Sequence, residues 1–348
     1  MINSRYENDG KPGIPLNSLQ ISVLDAVNAK VKDGVYEFES VPCGQCGRTH
    51  SEKLAEKDRY GLLFPVVICR ECGLIYTNPR MTQASYAQFY DCEYRRLYQG
   101  KEHPIADLYE KNLWRGKRIS AFLREAGVNM EGKRVLEVGC GAGGILAHFR
   151  DVFHCQVKGC DYGSQGVEYG VNHHGLDLEV GTLESITLPW KPDIIIYSHV
   201  LEHILSLREE CARIREILCD DGTVYIEVPS VKGIRQNYKW DFLRLLQNAH
   251  VFHFTLTTLT NLMGQCGFEL HLGNEFTQSV FKKSSLLPKE CAVVNDYACA
   301  MRFLKSTERK RVLGQFFQSL KRLPLRFAIF CINCLGLTST VKRILKRQ

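Results

Sequence analysis

The middle of the chain alternates short apolar runs with stretches whose apolar residues recur at helical spacing. Residues 134–138, 193–199 and 223–228 are mostly apolar runs of strand length, which is typical of parallel strands buried on both faces. Residues 207–218 place Ile and Leu at helical intervals, with Arg and Glu between them. This alternation predicts an α/β fold built on an open, largely parallel sheet.

A glycine-rich turn joins the first of these strands to the helix that follows it. Gly139, Gly141 and Gly143 allow the backbone to turn tightly and to approach a ligand without a Cβ in the way. A second strand then ends at Asp161, whose carboxylate is placed to accept the hydroxyls of a ribose. The turn therefore predicts a nucleotide-like cofactor, although with Gly144 it also fits the dinucleotide pattern.

Glu137 distinguishes between two kinds of cofactor. It lies near the end of an otherwise apolar strand, where a carboxylate is costly unless a positive group pairs with it. A cofactor with an ammonium group would supply that partner, whereas NAD has none near this position. The stretch from Glu137 through the glycines resembles motif I of the class I S-adenosylmethionine-dependent methyltransferases. The resemblance extends over about residues 130–275 and implies a Rossmann-like seven-stranded sheet.

The same resemblance implies how the cofactor is held. Glu137 is expected at the methionine end of S-adenosylmethionine and Asp161 at its ribose. The protein then has only to place an acceptor in line with the methyl group and to remove a proton. The residues predicted to bind the cofactor are Glu137, Gly139, Cys140, Gly141, Gly143, Asp161, Tyr162 and His199.

Polar residues also follow the strand at 193–199. His199, Glu202 and His203 would share one face if a helix starts here, at the edge where such sheets bind ligands. His250 precedes a later helix, in a loop that faces the acceptor in the methyltransferases that the chain resembles. We expect His199, His203 or His250 to act as general base, because imidazole titrates near neutral pH. A divalent metal site, as in related methyltransferases with an acid-x-x-Glu-His run, and a purely structural role are the alternatives.

Two C-x-x-C pairs near the N-terminus predict a structural zinc site. Cys43 and Cys46 form the first pair, Cys69 and Cys72 form the second, and a glycine follows each pair. Two thiolates from one tight turn occupy two corners of a tetrahedron, so the two pairs complete a four-sulfur Zn2+ site. Reduced cysteines in a small β ribbon are the alternative. A small unit with few large apolar residues needs such a metal to hold it together.

The second pair continues into the run Gly-Leu-Ile-Tyr-Thr-Asn-Pro-Arg at residues 73–80. Together they resemble a subgroup of bacterial methyltransferases with an N-terminal zinc-binding domain. That subgroup includes sugar C-methyltransferases and enzymes encoded with surface-polysaccharide genes, so it implies a small-molecule or glycan acceptor and, first, a sugar hydroxyl. The chain departs from the sugar C-methyltransferases, which carry a further folded domain at the C-terminus. A deoxysugar carbon, a small metabolite, or a non-catalytic binding module remain alternatives.

Composition and charge limit the other function classes. The chain has 348 residues, enough for two domains with cores of their own. Its first residues lack the apolar core of a signal peptide, so we expect the fifteen cysteines to be reduced and the protein to be cytoplasmic. The formal charge is +7, but residues 302–348 contain twelve Lys or Arg and one acid. The rest of the chain, residues 1–301, is therefore slightly acidic, which argues against nucleic-acid binding.

The expected organisation has four parts, at residues 1–80, 81–128, 129–278 and 279–348. They are the zinc-binding domain, a helical connector or lid, the cofactor domain and a helical basic region. Within the last part, residues 309–348 alternate basic and apolar clusters, which is typical of a segment on an anionic membrane surface. Such contact would place the protein at the inner face of the membrane, whereas helices packed on the protein or on a partner subunit are the alternative.

Tyrosines recur every four residues in the connector, at positions 86, 90, 94 and 98. At helical spacing they form one stripe. The stripe predicts either packing of the connector on the next domain or an aromatic lid over a sugar ring or cofactor.

Overall fold

The computed structural model describes most of the chain: residues 1–100, 105–276, 278–285, 292–321 and 334. Its N-terminal layer contains one helix and five short strands, α1 (Ser18–Lys32), β1 (Phe38–Glu39), β2 (Ser51–Lys57), β3 (Leu63–Cys69), β4 (Ile75–Thr77) and β5 (Arg80–Met81). A connector follows, and a π-helical turn at Tyr90–Tyr94 joins its first two helices. The helices of the connector are α2 (Gln83–Phe89), α3 (Arg95–Gln99) and α4 (Ile105–Glu125).

Strands and helices then alternate, as the sequence pattern predicts. The apolar runs correspond to β6, β9 and β10 of the following series. The elements are β6 (Arg134–Val138), α5 (Gly144–Phe153), β7 (Gln156–Asp161), α6 (Ser164–His174), β8 (Leu178–Val180), β9 (Ile194–Ser198), α7 (Leu207–Ile217), β10 (Thr223–Glu227), α8 (Ile234–Asn237), α9 (Phe242–Leu245), β11 (Phe252–His253), α10 (Leu256–Gln265), β12 (Phe268–Gly273), β13 (Gln278–Lys283) and α11 (Tyr297–Lys321).

Seven strands form the central sheet, in the order β12-β13-β10-β9-β6-β7-β8. The strands from β10 to β8 are parallel, and β13 is antiparallel to both of its neighbours. The predicted Rossmann-like seven-stranded sheet is confirmed, and it is a mixed sheet. The chain reverses its direction across the sheet between β6 and β9, and ligands of such sheets bind at the carboxyl ends of the strands at this point.

Alternate residues of the parallel strands enter two separate cores. Leu136 and Ile195 lie in the core that α7 and α10 cover. Val135 and Ile194 lie in the core on the other face, which α4 and α5 cover. Because both faces are buried, these strands need apolar residues at nearly every position, which explains the unbroken runs in the sequence.

A second, four-stranded antiparallel sheet has the order β11-β4-β3-β2. Its edge strand β11 comes from the segment that leads into α10, and Phe252 pairs with Tyr76. The N-terminal layer thus shares a sheet with a segment of the predicted cofactor domain. The predicted boundary at residue 80 stays a prediction.

The C-terminal part of the described chain is a strand and then a helix. The central sheet continues through β13 to Lys283, beyond the predicted domain end at residue 278, because β13 pairs along its length with β10. Helix α11 packs on the N-terminal layer, where Met301 and Leu304 share a buried cluster with Phe64. The predicted basic tail after residue 321 lies outside the described residues, apart from residue 334. Among the described helices, none has the length and apolar character to cross a membrane.

Candidate active site at the carboxyl edge of the sheet

The turn between β6 and α5 is built from glycines in left-handed backbone conformations. The φ angles of Gly139, Gly141 and Gly143 are +72°, +56° and +75°, a region that residues with a Cβ rarely adopt. A Cβ on Gly139 would lie 2.3 Å from Cγ2 of Val200, so the turn packs tightly against the segment after β9. Among the described residues, a Cβ on Gly141 would meet only the Asn112 amide, at 3.8 Å. The turn is therefore closed on one side and forms an open cradle at Gly141.

Glu137 is buried beside this turn with an unsatisfied carboxylate oxygen. The residue is 1% exposed, and Oε2 has no hydrogen-bond partner among the residues that the structure describes. Burial raises the pKa of Glu137 well above its usual range; Arg115 opposes this shift and Asp161 adds to it. An acceptor in this state is costly unless a donor is provided. The site therefore fits the ammonium group of the cofactor expected from the sequence.

Asp161 contacts the turn from the end of β7. Its Oδ2 accepts a hydrogen bond from the Gly141 N–H at 2.9 Å, and its Oδ1 accepts one from the Gly163 N–H at 2.7 Å. Each carboxylate oxygen can accept a further bond. Asp161 can therefore order the turn and also receive a ribose hydroxyl.

The other two predicted cofactor residues beside the turn differ in exposure. Tyr162 is 69% exposed, so its ring is accessible. Cys140 is fully buried, and its N–H donates to the Cys160 carbonyl at 3.0 Å. Its Sγ would lie 2.8 Å from a Cβ on Gly159 of β7. The Cys140 thiol thus packs against the sheet, and its contribution to a cofactor site would come from the backbone.

His199 follows β9 in a left-handed conformation, with φ +59°. Its N–H donates to the Glu227 carbonyl at 2.7 Å. Nδ1 lies 3.7 Å from Oε1 of Glu202, and Nε2 lies 3.6 Å from Oε1 of Glu227. Burial alone would lower the pKa of His199, but the two carboxylates raise it to about 9. His199 is then an imidazolium near neutral pH, a state that works against the predicted role of general base.

Glu227 and Arg118 are site residues that the sequence reasoning missed. Arg118 Nη2 lies 2.5 Å from Oε1 of Glu227, and the Tyr225 hydroxyl donates to Oε2 at 3.0 Å. Burial opposes ionisation, but His199 and Arg118 lower the pKa of Glu227 to about 2. A signal was present in the sequence, since Glu227 ends an apolar strand much as Glu137 does. No local pattern identified Arg118, because its partner lies far along the chain.

Glu202 lies at the centre of a histidine cluster. It is 1% exposed, and within the described part of the chain neither carboxylate oxygen has a hydrogen-bond partner. Its Oε1 lies 3.7 Å from His199 Nδ1, 3.8 Å from His203 Nε2 and 4.0 Å from His250 Nε2. The structure thus brings all three predicted base candidates together. The condition of an α-helix starting at His199 is not met, because a 3-10 turn (Leu201–His203) carries Glu202 and His203.

Hydrogen bonds fix the orientation of His203. Its Nδ1 lies 2.7 Å from the Ala249 carbonyl oxygen and 2.8 Å from the Tyr90 hydroxyl. Because a carbonyl only accepts, Nδ1 carries the proton and Nε2 presents a lone pair towards Glu202. Burial lowers the pKa of His203, and it lowers that of His250 further. Tyr90 of the predicted stripe therefore packs into the site, whereas Tyr98 remains 48% exposed.

The four cysteines of the two predicted pairs converge in the N-terminal layer. The Sγ atoms of Cys43 and Cys72 are 3.6 Å apart, those of Cys46 and Cys69 are 3.5 Å apart, and all four lie within 4.8 Å of one another. Zinc–sulfur bonds of about 2.3 Å in a tetrahedron separate the sulfurs by about 3.8 Å. Each pair ends at a glycine with positive φ, whose N–H donates to the carbonyl of the first cysteine. The sulfur positions fit a zinc ion.

The matches with known proteins lie in the part of the chain that forms the glycine turn and the histidine cluster. Residues 110–272 match the family model described as a methyltransferase domain. The match includes the glycine turn and the histidine cluster, and it supports methyltransferase activity. The chain is also 26% identical over 161 residues to the O-methyltransferase cnsE of Penicillium expansum, which covers 42% of this chain and 57% of that protein. The chain therefore spans little more than half the length of this curated relative.

The chain has a distant likeness to solved structures. A TehB-like S-adenosylmethionine-dependent methyltransferase from Corynebacterium glutamicum is 16% identical with a TM-score of 0.36, covering 58% of this chain and 100% of that one. The PH0226 protein from Pyrococcus horikoshii is 16% identical with a TM-score of 0.37, covering 44% and 83%. Scores at this level support no statement about the activity of this chain.

Proposed function

We propose that the protein is an S-adenosylmethionine-dependent methyltransferase. The observation that carries this proposal is the buried Glu137 carboxylate, whose Oε2 no described residue satisfies. An ammonium-bearing cofactor would explain both this acid and the open cradle at Gly141. The family match over residues 110–272 supports methyl transfer as the reaction.

The residues of the chain position the reactants and handle the proton. When bound, S-adenosylmethionine supplies the methyl group, which moves to the acceptor as its bond to sulfur breaks and S-adenosylhomocysteine remains. Glu137 would accept from the ammonium group and Asp161 from the ribose hydroxyls. The acceptor must lie in line with the methyl group and lose a proton. The histidines around Glu202 lie at the same edge of the sheet, and we assign to them the transfer of this proton towards solvent.

The acceptor that we propose is a sugar hydroxyl in a surface glycan. The resemblance of the cysteine pairs to zinc-binding sugar methyltransferases supports it, and the curated relative is named an O-methyltransferase. Mass spectrometry of glycans from the source organism without this gene should show one methyl increment missing from a sugar. The wild-type gene should restore it and a Glu137→Gln gene should not. Unchanged glycans would favour a small metabolite or a deoxysugar carbon as acceptor.

Calorimetric titration of the full chain with S-adenosylhomocysteine tests the cofactor assignment. Glu137→Gln keeps the shape of the side chain but removes its charge, so we expect binding to weaken about tenfold or more, as for the loss of a charge-assisted hydrogen bond. The same change removes a buried carboxyl group whose Oε2 no described residue satisfies, so the free protein should be at least as stable as the wild type. Opposite effects on stability and on binding are the expected signature.

Glu168→Gln, on the exposed side of α6, is the matched control and should bind like the wild type. A wild-type protein that does not bind S-adenosylhomocysteine, or a Glu137→Gln variant that binds it unchanged, would contradict the proposal.

Two further proposals concern the ends of the chain. The four cysteines would hold one structural Zn2+, because four thiolates leave no open coordination position.

The basic tail from residue 309 onwards would contact an anionic membrane from the cytoplasm. Co-sedimentation with phosphatidylserine vesicles should recover the full chain but not a chain truncated after residue 321. Equal recovery of both in the supernatant would exclude the membrane contact.

A further inference from the structure

We propose that Glu202, His203 and His250 form a second metal site, for a divalent first-row transition ion, beside the cofactor crevice. One ligand atom from each residue lies within 4.8 Å of the other two. The inference rests on the proposed function and changes one role in it: such an ion would hold oxygens of the acceptor, so His203 and His250 would be metal ligands and the acceptor proton would pass to solvent water. Its binding can nevertheless be measured without any methyl transfer.

The first support is the isolation of the Glu202 carboxylate. It is 1% exposed. Within the described ranges neither oxygen has a hydrogen-bond partner, and its ion-pair contacts are to histidines alone. Glu227, which contacts the other ring nitrogen of His199, is held by Arg118 and by the Tyr225 hydroxyl. The His199 imidazolium, at 3.7 Å, is shared with Glu227, so it compensates the buried Glu202 carboxylate only in part. A bound divalent ion would supply the rest of that compensation.

The second support is the orientation of His203. Metal-binding histidines commonly donate the other ring N–H to a carbonyl or carboxylate, which fixes the tautomer and directs the free nitrogen at the ion. His203 has this arrangement, since Nδ1 lies 2.7 Å from the Ala249 carbonyl oxygen. The Tyr90 hydroxyl lies 2.8 Å from the same nitrogen. Nε2 is thereby left as a ligand atom facing Glu202.

The distances and ligand types indicate which ion fits. His203 Nε2 and His250 Nε2 lie 3.8 and 4.0 Å from Glu202 Oε1. Ligands at about 2.0–2.2 Å from an ion are separated by about 3–3.5 Å, so small side-chain movements would complete the site. Two imidazoles and one carboxylate suit Zn2+, Mn2+ or Fe2+, whereas Mg2+ prefers oxygen ligands and retains its waters.

The site lies next to the glycine turn, and two of its three side chains are partly exposed. The side chains of His203 and His250 are 17% and 11% exposed. Val200, two residues before Glu202, packs on Gly139 of the turn. Three protein ligands leave coordination positions open. The acceptor class that would use them carries two neighbouring oxygens, as in a sugar diol.

Titration with MnCl2, followed by the electron paramagnetic resonance signal of free Mn2+, tests the proposal. The full chain is first loaded with zinc at its four cysteines, because thiolates favour zinc over Mn2+. We expect the wild type to bind one further ion. Glu202→Gln and His250→Asn should weaken this binding by at least about 10–100-fold, the range seen when even outer partners of metal ligands are removed.

His253→Asn is the matched control, since His253 is buried in the same segment but lies outside the ligand set. It should bind Mn2+ like the wild type, and circular dichroism would establish that each variant is folded. Should His250→Asn fail to fold, the nearly isosteric Glu202→Gln carries the test. A wild type without a second ion would overturn the proposal and would leave the His199 imidazolium as the partner of Glu202. Folded Glu202→Gln that binds Mn2+ unchanged would overturn it too.

S-Adenosylhomocysteine titration of the same samples separates the two proposals. Cofactor binding without Mn2+ binding would contradict only the proposed metal site. Mn2+ binding without cofactor binding would contradict only the proposed methyltransferase function.

Discussion

Three neighbouring strands carry oppositely charged side chains at their carboxyl ends. β6 contains Glu137, His199 follows β9, and β10 ends at Glu227. His199 and Arg118 hold the pKa of Glu227 at about 2 in spite of its burial, whereas burial raises the pKa of Glu137 well above its usual range. Of these two strand-end carboxylates, Glu227 is thus satisfied within the protein and Glu137 remains for a ligand.

Gly139→Ala tests the tightness of the turn. A Cβ at this position would be strained by the φ of +72° and would also lie 2.3 Å from Cγ2 of Val200. We expect the free energy of unfolding to fall by about 1–3 kcal/mol. Binding of S-adenosylhomocysteine, measured by calorimetry, should weaken about tenfold or more because the turn must shift (~1.4 kcal/mol per factor of ten).

Gly127→Ala provides the comparison. Its φ is +70°, but a Cβ there would meet no atom of the described part of the chain within 4 Å. It should lower stability by about 1 kcal/mol through backbone strain alone and leave cofactor binding unchanged. Equal effects of the two substitutions on cofactor binding would show that backbone strain, and not the contact with Val200, weakens this binding.

At the scale of elements, the short strand β11 links the cysteine site to the histidine cluster. Phe252 and His253 pair with Tyr76 and Ile75 of β4, which follows the second cysteine pair. His250 lies two residues before β11. Disorder in the cysteine turns would therefore be transmitted through β4 and β11 to the cluster.

Cys69→Ser should release the zinc and loosen β11. We expect a loss of stability of at least about 3 kcal/mol, because the binding energy of a structural metal is folding energy. Hydrogen exchange should accelerate in β11 and in the preceding segment to His250, and less so at the glycine turn. Metal analysis and exchange mass spectrometry measure these effects. Cys92→Ser, at an exposed cysteine outside the site, should change neither the zinc content nor the exchange of β11. A Cys69→Ser protein with unaltered exchange in β11 would refute the link between the cysteine site and the histidine cluster.

Elements of this fold that depend on neighbouring residues could be predicted from the sequence, and those that depend on distant contacts could not. Apolar runs and the glycine turn identified β6, β9 and β10, because both are local signals, and the seven-stranded sheet followed from the family resemblance. The pairing of β11 with β4, and the meeting of His250 with Glu202, join positions whose spacing carries no local pattern. The tyrosine stripe was expected on one helix face, but the π-helical turn at Tyr90–Tyr94 changes the phase of the helix.

At the scale of the whole molecule, the first residues of the chain are bound to its last described helix. Glu308 of α11 accepts hydrogen bonds from the Asn3 amide at 2.8 Å and from the Tyr6 hydroxyl at 3.0 Å. Arg311, one turn further along α11, donates to both Glu308 oxygens, at 2.6 and 2.8 Å. The N-terminal layer is therefore held between the sheet that it shares with β11 and this buried ionic contact.

This contact predicts a dependence of stability on pH. Burial alone would raise the pKa of Glu308, but Arg311 and Asn3 lower it from 4.5 to about 2. A lowered pKa stabilises the folded state above pH 4.5, and this contribution is lost as the pH falls from 4.5 towards 2. Glu308→Gln should lower the free energy of unfolding near pH 7 by on the order of 2 kcal/mol and flatten its decline in acid. Urea unfolding from pH 7 to pH 2 measures both the free energy of unfolding and its decline in acid.

Glu216→Gln, which alters an exposed pair with Arg213 on α7, should follow the wild-type curve. Parallel curves for wild type and Glu308→Gln across this range would mean that Glu308 does not titrate with folding, contrary to the contacts that hold it.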